Sequence, residues 1–468
     1  MNSLKDNSIE RVYDLSQEQY NDLRWIADCP LKDLVDKDLN NVWLFPKPDD
    51  RYSDKIDDEK LLSIRRIVEG YELTTFNIMG YVGYGETEIK IESRFSNNEH
   101  DWFMQYMLQK VFSINIFDLK HSTGQTGTLD ITPLLFPYFL QKAMRQGVYK
   151  EYRRCHYNDS CVKGTIEFDE HIKANYPFKN GKIAYSNREF IYDNSITELI
   201  RHTIEFIKRK ESYADILHSS SEIQSCVKQI VEATPSYSRG NLSKVMKENL
   251  KPKIHPYFSE YLSLQKLCLH ILKHEQLGYG KEQDKIHGVL FDGAWLWEAY
   301  LAQLMVDAGY EHPDNKERIG AIPSFNELPK KYLRYPDFKK QNVVADAKYK
   351  NMLKPVIKSR YYYEYIQRDD LHQLIAYMHI TSSSIGVLIC PTILNVMDIH
   401  TGEFKENFDL AFRKDELIVC KVGSLSGDGG KIQIIGINIP ASVNSYDEFV
   451  YRMTSIETQL VRYMMTLS

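Results

Sequence analysis

The sequence predicts a multidomain α+β protein, with a β-rich and helical amino-terminal half and an α/β domain at the carboxy terminus. Three observations support this fold class. The 468 residues exceed what one compact core usually spans, so two or three domains are expected. With 43% hydrophobic and 26% charged residues, the chain can fill real cores and is not disordered. Strand-like alternation gives way to helical spacing, and then to short apolar runs separated by helices.

The composition also excludes several classes of protein. The longest apolar stretches, such as residues 385–390, fall far short of the roughly 20 residues of a membrane-spanning helix. Residues 1–22 are polar and acidic, so they lack the apolar core of a secretory signal. Seven cysteines, an odd number, indicate reduced thiols rather than a disulfide framework. We therefore expect a cytoplasmic protein without a membrane segment.

The first expected domain, residues 1–100, joins an acidic segment to a small β-rich region. Residues 1–60 carry 15 Asp and Glu against 9 Lys and Arg, a local charge of −6. Residues 71–94 alternate like short strands, with Gly80, Gly83 and Gly85 as turn points. The formal net charge of −5 is thus an average over unlike regions.

The second expected region, residues 101–280, is mainly helical. Its apolar residues recur at helical spacing, most clearly at Ile196, Leu199, Ile200, Ile204 and Ile207. One short strand is expected at residues 162–168. A polar, glycine-containing stretch at residues 275–287 then marks the boundary to the last domain.

The third expected domain, residues 281–468, alternates strands with helices and is predicted to be α/β. Its strands are expected at residues 332–335, 343–347, 385–389 and 432–439. Its helices are expected at residues 294–308, 362–380 and 446–465. Residues 330–368 hold 11 Lys and Arg against 3 Asp and Glu, a local charge of +8. Such a stretch either faces phosphates or forms a solvated basic face.

The informative motif of this domain is Pro336-Asp337, followed nine residues later by Asp346-Ala347-Lys348. Metal-dependent hydrolysis of a phosphodiester needs hard oxygen ligands for the ion, and carboxylates on neighbouring strands supply them. The alternation of a strand places Asp346 and Lys348 on one face. The lysine would then hold or deprotonate the attacking water and counter the phosphate charge.

An acidic residue two positions before a lysine is common by chance, and one earlier copy reproduces the whole pattern. Pro48-Asp49 precedes Asp58 and Lys60 with the same spacing. That copy lies in a charged segment without an apolar run, whereas Asp346 and Lys348 lie in a run that predicts a buried strand. A strand end can fix ligand geometry, and a solvated acidic loop cannot do so without support.

Two flanking features favour the later copy. Glu298 lies on an apolar helix face, where an unpaired carboxylate is costly and a cation, a basic partner or a metal is expected nearby. The alternative is a rim glutamate paired with a lysine. Gln373 and Tyr377 are four residues apart, so they share one face of a helix that can reach the site or DNA.

The order of these residues resembles the PD-(D/E)xK nuclease superfamily, in its branch with a Gln-x-x-x-Tyr helix. From about residue 71 onward, the chain resembles the McrC family, which includes LlaJI-type restriction subunits. The segments that carry this likeness are GYVGYGETEIKIESRF, VKGTIEFDEHI and NREFIYDNSITELIRHTIEFI, with Gly164, Asp193 and Asn194. Lys163 and Thr165 stand where arginines are expected, and residues 1–70 match no known pattern.

The resemblance implies a restriction-endonuclease-like carboxy-terminal domain that cleaves DNA with Mg²⁺ or Mn²⁺. Asp337 and Asp346 would be metal ligands, and Glu298 a further ligand or a contact to a water on the ion. Lys348 would position the attacking water, and Gln373 and Tyr377 would support the substrate. The implied partner is an McrB-like AAA+ GTPase in a separate chain. Residues 1–280 would dock onto this GTPase and stimulate it. This chain lacks a P-loop of its own, and cutting both strands implies paired nuclease sites.

Two other functions remain open from the sequence. One is a non-catalytic adaptor that keeps a nuclease fold only to activate the motor. The other is a stand-alone DNA-repair nuclease. An intact set of acidic residues and lysine on an apolar strand argues against the adaptor, and a large helical half without a DNA-binding signature argues against the stand-alone enzyme.

Overall fold

A computed structural model shows two compact units. The first contains Met1–Val111 and Glu282–Ser468, and the second contains Phe112–Lys281. The structure describes residues 3–37, 42–46, 59–85, 87–96, 101–112, 132–178, 180–210, 214–251, 253, 255–277, 286–313, 320–325, 327, 332–353, 356–359, 362–364, 366–393, 417–426 and 429–467. Helices and sheets occur in both units, which confirms the α+β class.

The amino-terminal segment of the first unit is rich in short strands, as expected. Its elements are β1 (Leu4–Lys5), β2 (Ile9–Val12), α1 (Gln17–Ile26), α2 (Leu31–Lys37), β3 (Val42–Phe45), β4 (Leu62–Ile67), β5 (Gly70–Thr75), β6 (Ile78–Tyr84), β7 (Thr87–Glu92) and α3 (Trp102–Phe112). Strands β2, β5 and β4 form a small antiparallel sheet. Helix α1 begins at Ser16, whose side chain accepts a hydrogen bond from Gln19 N–H, and it buries Leu23 and Ile26 against the core.

The second unit combines a helical bundle with an antiparallel sheet. Its elements are α4 (Phe136–Met144), β8 (Glu151–Asp159), β9 (Thr165–Ile166), α5 (Phe168–Asn175), β10 (Ile183–Ile191), α6 (Ser195–Arg209), α7 (Ser221–Ala233), α8 (Leu242–Asn249) and α9 (Tyr261–Leu277). Helix α6 has the predicted apolar face, and Asn194 caps it by accepting hydrogen bonds from Ile196 N–H and Thr197 N–H.

The sequence prediction missed the long strands β8 and β10, which pair along their full length. It expected one short strand at residues 162–168, and β9 lies within that range. The side chains of β8 are partly or fully exposed, so the strand has no apolar alternation to reveal it. Its partner β10 buries only part of one end.

The carboxy-terminal segment returns to the first unit. Its elements are β11 (His287–Asp292), α10 (Gly293–Asp307), β12 (Ile322–Pro323), β13 (Leu333–Arg334), β14 (Phe338–Lys340), β15 (Val343–Ala347), β16 (Val356–Ser359), β17 (Tyr362–Glu364), α11 (Arg368–Thr381), β18 (Ile385–Thr392), β19 (Ile418–Ser424), β20 (Lys431–Asn438) and α12 (Tyr446–Thr466). The helix expected at residues 362–380 begins later, because Tyr362–Glu364 pairs with β16 as a strand. Tyrosines favour such a pairing.

Strand β11 completes the amino-terminal sheet, whose order is β1-β7-β6-β11-β3. It pairs antiparallel with β6 and parallel with β3. The first and third regions predicted from sequence therefore share one compact unit. The division of the chain into three regions with separate functions stays a prediction.

The last segment builds a five-stranded mixed sheet in the order β14-β15-β18-β20-β19. Strands β15, β18 and β20 are parallel, and β14 and β19 run antiparallel at the edges. Leu374 and Met378 of α11 pack with Val344, Leu388 and Ile434 of the sheet. None of the helices in the described part of the chain is both long and apolar enough to cross a membrane.

A buried carboxylate ties α3, α10 and α12 together. Glu457 of α12 is 5% exposed, and its Oε1 accepts hydrogen bonds from Tyr106 Oη at 2.7 Å and Tyr300 Oη at 2.8 Å. Its Oε2 pairs with Lys110 Nζ at 2.9 Å. A carboxylate that is buried in this way is tolerated because each oxygen has a donor.

Asp101 directly precedes α3 and is 1% exposed. Its Oδ2 accepts a hydrogen bond from Ser93 N–H at 2.6 Å, and its Oδ1 accepts one from Met104 N–H at 3.2 Å. Burial raises the pKa of Asp101 from 3.8 to about 7, although both hydrogen bonds favour the charged form. Between pH 3.8 and about 7, Asp101 therefore keeps its proton in the folded chain and releases it in the unfolded chain.

We predict that Asp101→Asn changes how stability depends on pH. In the wild type, ionisation of Asp101 lowers the free energy of unfolding as pH rises from about 4 to about 7, and the penalty is complete above that. Asparagine cannot ionise, so the variant should gain stability relative to the wild type between pH 5 and pH 8, measured by urea unfolding. The exposed control Asp307→Asn should give the same difference at both pH values. An Asp101→Asn difference that does not change with pH would contradict the assignment.

Candidate functional site

The edge of the carboxy-terminal sheet brings Asp337 and Asp346 together. Phe338 pairs with Ala345 across β14 and β15, so Asp337 lies opposite Asp346 in the ladder. Asp337 Oδ2 accepts a hydrogen bond from Ala347 N–H at 2.6 Å, and Asp346 is 1% exposed. Two carboxylates that are 9 residues apart in sequence thus lie side by side, Asp346 buried and Asp337 half-buried, as the sequence predicts.

These carboxylates influence each other strongly. Burial raises the pKa of Asp337 well above its ordinary value, and the charges of Asp346 and Glu298 raise it further. The pKa of Asp346 is also raised by burial, although Lys348 and a hydrogen bond with Asp337 oppose the shift. A site that holds two desolvated carboxylates side by side is costly without a cation.

Lys348 supplies one positive charge at this point. Its Nζ lies 2.5 Å from Asp346 Oδ2, and the side chain is 16% exposed. Burial disfavours the ammonium, but Asp346, Asp337 and Asp370 together raise the pKa of Lys348. The predicted convergence of carboxylate and ammonium is present.

Helix α11 holds Lys348 from the other side. Lys348 Nζ donates to Gln373 Oε1 at 2.9 Å, and Gln373 Nε2 donates to Tyr377 Oη at 3.0 Å. The helix can approach the sheet closely because Gly386 leaves space, and a Cβ there would lie 2.6 Å from Met378 Sδ. Gln373 and Tyr377 thus reach the site through Lys348.

Glu298 lies at the rim of the site rather than on the buried face of α10. Its side chain is 37% exposed, with its Oε1 3.9 Å from His312 Nε2. The buried positions of α10 include Leu296, Trp297 and Tyr300 instead. Its charge nevertheless reaches Asp337. His312 also hydrogen-bonds through Nδ1 to the Asp337 carbonyl oxygen at 2.7 Å, which links it to the residue before β14.

Sequence reasoning missed two charged residues at the site, Asp370 and Lys350. Lys350 Nζ forms an ion pair with Asp370 Oδ2 and donates to Gln367 Oε1 at 2.9 Å. Asp370 Oδ1 also lies 4.0 Å from Lys348 Nζ. A spacing signal was available, since Asp370 precedes Gln373 by one helical turn and Lys350 follows Lys348 by two positions.

The earlier copy of the motif does not form such a site in the part that the structure describes. Asp49 and Asp58 lie outside the described residues. Lys60 Nζ pairs with Asp28 Oδ1 at 2.9 Å, and both side chains are about half exposed. Lys60 is therefore a surface residue, and its acidic partner Asp28 lies 32 residues earlier in the sequence.

Asp337 and Asp346 match a divalent cation in donor type. Carboxylate oxygens are the ligands that Mg²⁺ and Mn²⁺ prefer, and Asp346 Oδ2 is buried without a hydrogen bond. Among the described residues, no three His, Cys, Asp or Glu side chains already converge as a ligand set. The two aspartates form the acidic centre, and Glu298 borders it.

The sequence matches the family model described as "McrBC 5-methylcytosine restriction system component" over residues 73–391, more than half of the chain. The chain belongs to the McrBC family. This confirms the resemblance to McrC seen in the sequence. In this McrBC-family protein the matched range contains Glu298, Asp337, Asp346, Lys348, Gln373 and Tyr377.

Two solved structures resemble this McrBC-family chain, both from Thermococcus gammatolerans. One is a refined half-complex of a tetradecameric assembly of McrB AAA+ hexamers with bound McrC, at 15% identity and a TM-score of 0.47, covering 98% of this chain and 99% of that chain. The other is the McrBC complex, at 13% identity and a TM-score of 0.32, covering 66% and 88%. No match was found among curated proteins.

We predict that Asp337→Asn stabilises the metal-free protein. The substitution removes an acid whose ionisation is disfavoured by burial and by the charge of Asp346, and an asparagine oxygen can still accept from Ala347 N–H. The melting temperature in a chelating buffer near neutral pH should therefore rise. The exposed neighbour of the site, Asp369, provides the control, because Asp369→Asn should change the melting temperature little. A clear decrease for Asp337→Asn would mean that the carboxylate stabilises the fold.

Proposed function

We propose that this protein is the nuclease subunit of an McrBC-type restriction system and hydrolyses phosphodiester bonds of DNA. The arrangement of Asp337, Asp346 and Lys348 supports this proposal most directly. Two neighbouring carboxylates, one of them buried, and an ammonium at the end of a strand pair are groups suited to metal-dependent phosphodiester hydrolysis. Family membership in a restriction system makes DNA the expected substrate.

Asp337 and Asp346 would hold Mg²⁺ or Mn²⁺, with Glu298 as a further oxygen donor. When bound, the ion lowers the pKa of a water molecule and offsets charge on the phosphate. Lys348, held between Asp346 and Gln373, would orient the attacking water and neutralise the phosphate from the other side. Gln373 and Tyr377 keep this ammonium in place. Asp370, which pairs with Lys350 and lies 4.0 Å from Lys348 Nζ, would help to hold this ammonium at the site.

We propose further that the protein stimulates an McrB-like AAA+ GTPase in a separate chain. The sequence has no P-loop, so nucleotide hydrolysis must come from another protein. The second unit exposes a row of apolar side chains on α5, where Phe168 is 70% exposed and Ile172 is 53% exposed. Tyr176, 76% exposed, continues the row one helical turn later. Apolar side chains exposed side by side suit the docking of a protein partner. To cut both DNA strands, the assembly would have to bring two nuclease sites together.

Asp346→Asn and Lys348→Met should each abolish DNA cleavage in the presence of the GTPase, because each removes one charge of the site. We expect a loss of about a thousandfold or more. Binding to the GTPase and stimulation of GTP hydrolysis should stay unchanged, since neither residue lies in the second unit. Addition of Mn²⁺ should raise the melting temperature of the wild type more than that of Asp346→Asn.

Lys60→Met is the matched control for these variants. It removes a lysine from the earlier copy of the motif and should leave cleavage intact. If Asp346→Asn cleaved DNA normally, the active-site assignment would be wrong. If neither the wild type nor any variant cleaved DNA while GTPase stimulation persisted, the adaptor function would be supported instead.

The double substitution Phe168→Ser with Ile172→Ser should weaken stimulation of the GTPase without changing the fold. Both side chains are exposed, so their replacement costs little stability, but it removes apolar area from the docking surface. GTP hydrolysis measured against the concentration of this protein should show at least a tenfold weaker half-maximal point. Val306→Ser, at an exposed apolar position of the first unit, should leave the curve unchanged. An unchanged curve for the double variant would exclude α5 as the docking surface.

A further inference from the structure

The segment that carries Lys348 is fixed on both sides. Lys348 and Lys350 reach α11, whereas Tyr349 between them reaches the amino-terminal sheet. Tyr349 is 7% exposed, and its Oη lies 2.7 Å from Ser93 Oγ and 3.2 Å from Met79 Sδ. The position of Lys348 therefore depends on a neighbour whose contacts lie more than 250 residues earlier in the sequence.

The residues that hold Tyr349 directly follow β7. Phe95 packs against the Tyr349 ring with the centroids 5.3 Å apart, and the guanidinium of Arg94 lies 4.9 Å from the ring centroid. Such edge-on and cation–π contacts are orientation-dependent, so they restrict the ring more than apolar packing alone. Ser93 itself is fully buried.

Arg94 is in turn fixed by a buried acid. Its side chain donates to Asp6 Oδ2 from Nε at 3.0 Å and from Nη2 at 2.6 Å, and Asp6 is fully buried. Nη2 also donates to Asn77 Oδ1. Two side-chain donors on one carboxylate oxygen, with the Arg94 backbone N–H donating to Asp6 Oδ1, restrict where the guanidinium can lie. The guanidinium above Tyr349 is thus held in place by residues that directly adjoin strands β1 and β6 of the amino-terminal sheet.

The same junction holds the start of α10. Gly293 N–H donates to the Asn77 carbonyl oxygen at 2.8 Å, and a Cβ at Gly293 would lie 2.6 Å from Tyr349 Cε1. Glycine is required here because the tyrosine ring lies directly against the first turn of the helix. Helix α10 carries Glu298 and the strand end carries Lys348, so one cluster touches both elements of the site.

We propose that Tyr349 is a positioning residue for the nuclease site, which it holds in register through Ser93 and Arg94 of the amino-terminal sheet. This inference rests on the proposed nuclease function. It assigns to the amino-terminal sheet a role in cleavage that is separate from partner docking. A small shift of a catalytic group costs much of the rate because the chemistry depends on near-attack geometry. Binding of DNA, which uses many contacts, should be affected much less.

Tyr349→Phe tests the hydrogen bond to Ser93 and keeps the ring. We expect the single-turnover rate of DNA cleavage by the complex with the GTPase to fall about tenfold, with the KM for DNA within about twofold of the wild type. Ser93→Ala should give a loss at least as large, because Ser93 Oγ also accepts a hydrogen bond from Phe95 N–H. The double variant should be little worse than Ser93→Ala, because the hydrogen bond between Tyr349 and Ser93 is already lost there and only the contact of Tyr349 Oη with Met79 Sδ is removed in addition.

Tyr446→Phe is the matched control, since Tyr446 is also buried in the first unit and its Oη donates one hydrogen bond to Gln109 Oε1 at 2.9 Å. It should cleave at the wild-type rate. The positioning role would be overturned if Tyr349→Phe cleaved DNA as fast as the wild type. It would also be overturned if the loss of cleavage only followed a loss of folded protein, seen as a lowered melting temperature. Asp346→Asn separates the two proposals: if it cleaves normally the nuclease assignment fails, and if it alone loses cleavage only the positioning role fails.

Discussion

The pairing of β11 with β6 and β3 is the contact on which the rest of the first unit depends. It joins segments that lie about two hundred residues apart, and it ends at Asp292, which caps α10 by accepting a hydrogen bond from Ala294 N–H at 2.8 Å. The strands approach so closely that a Cβ at Gly288 would lie 2.3 Å from the Tyr81 carbonyl oxygen. Because no loop separates β11 from α10, the sheet sets where the helix begins. Glu298 and the cluster around Tyr349 follow from that starting point.

The site itself opposes folding. Asp346 is buried and Asp337 lies half-buried beside it, and the loss of water around them raises the pKa of both carboxyl groups because it disfavours their charged forms. The surrounding structure must offset this cost through packing, as in the apolar contacts between α11 and the sheet. Lys348 reduces the cost only in part, because Asp337 and Glu298 add negative charge to the same place. Such an acidic pair is therefore kept at a cost in stability.

Local patterns in the sequence were enough to predict much of this site. The strand at Val343–Ala347 and the helical spacing of Gln373 and Tyr377 are encoded within a few residues, so periodicity reveals them. The pairing of Asp337 with Asp346 also follows from the short connection between two strands. The environment of Tyr349 could not be predicted, because Ser93 and Arg94 carry no periodic signal that links them to a residue so far away. The exposed strand β8 was missed for another reason, since its polar side chains lack the apolar alternation that marks a strand. The rim position of Glu298 depends on how far α10 is rotated about its axis, which the broad apolar face leaves open.

The interruption of the first unit by the second has a consequence for synthesis. Residues 112–281 leave the ribosome before β11 exists, so the edges of β3 and β6 stay unpaired while the helical bundle is completed. The bundle, whose contacts lie within its own segment, can fold during that interval. The amino-terminal sheet closes only after residue 292 has been made, and Lys348 and α11 come later still. A nascent or truncated chain therefore has no assembled acidic centre, which is completed only near the end of translation.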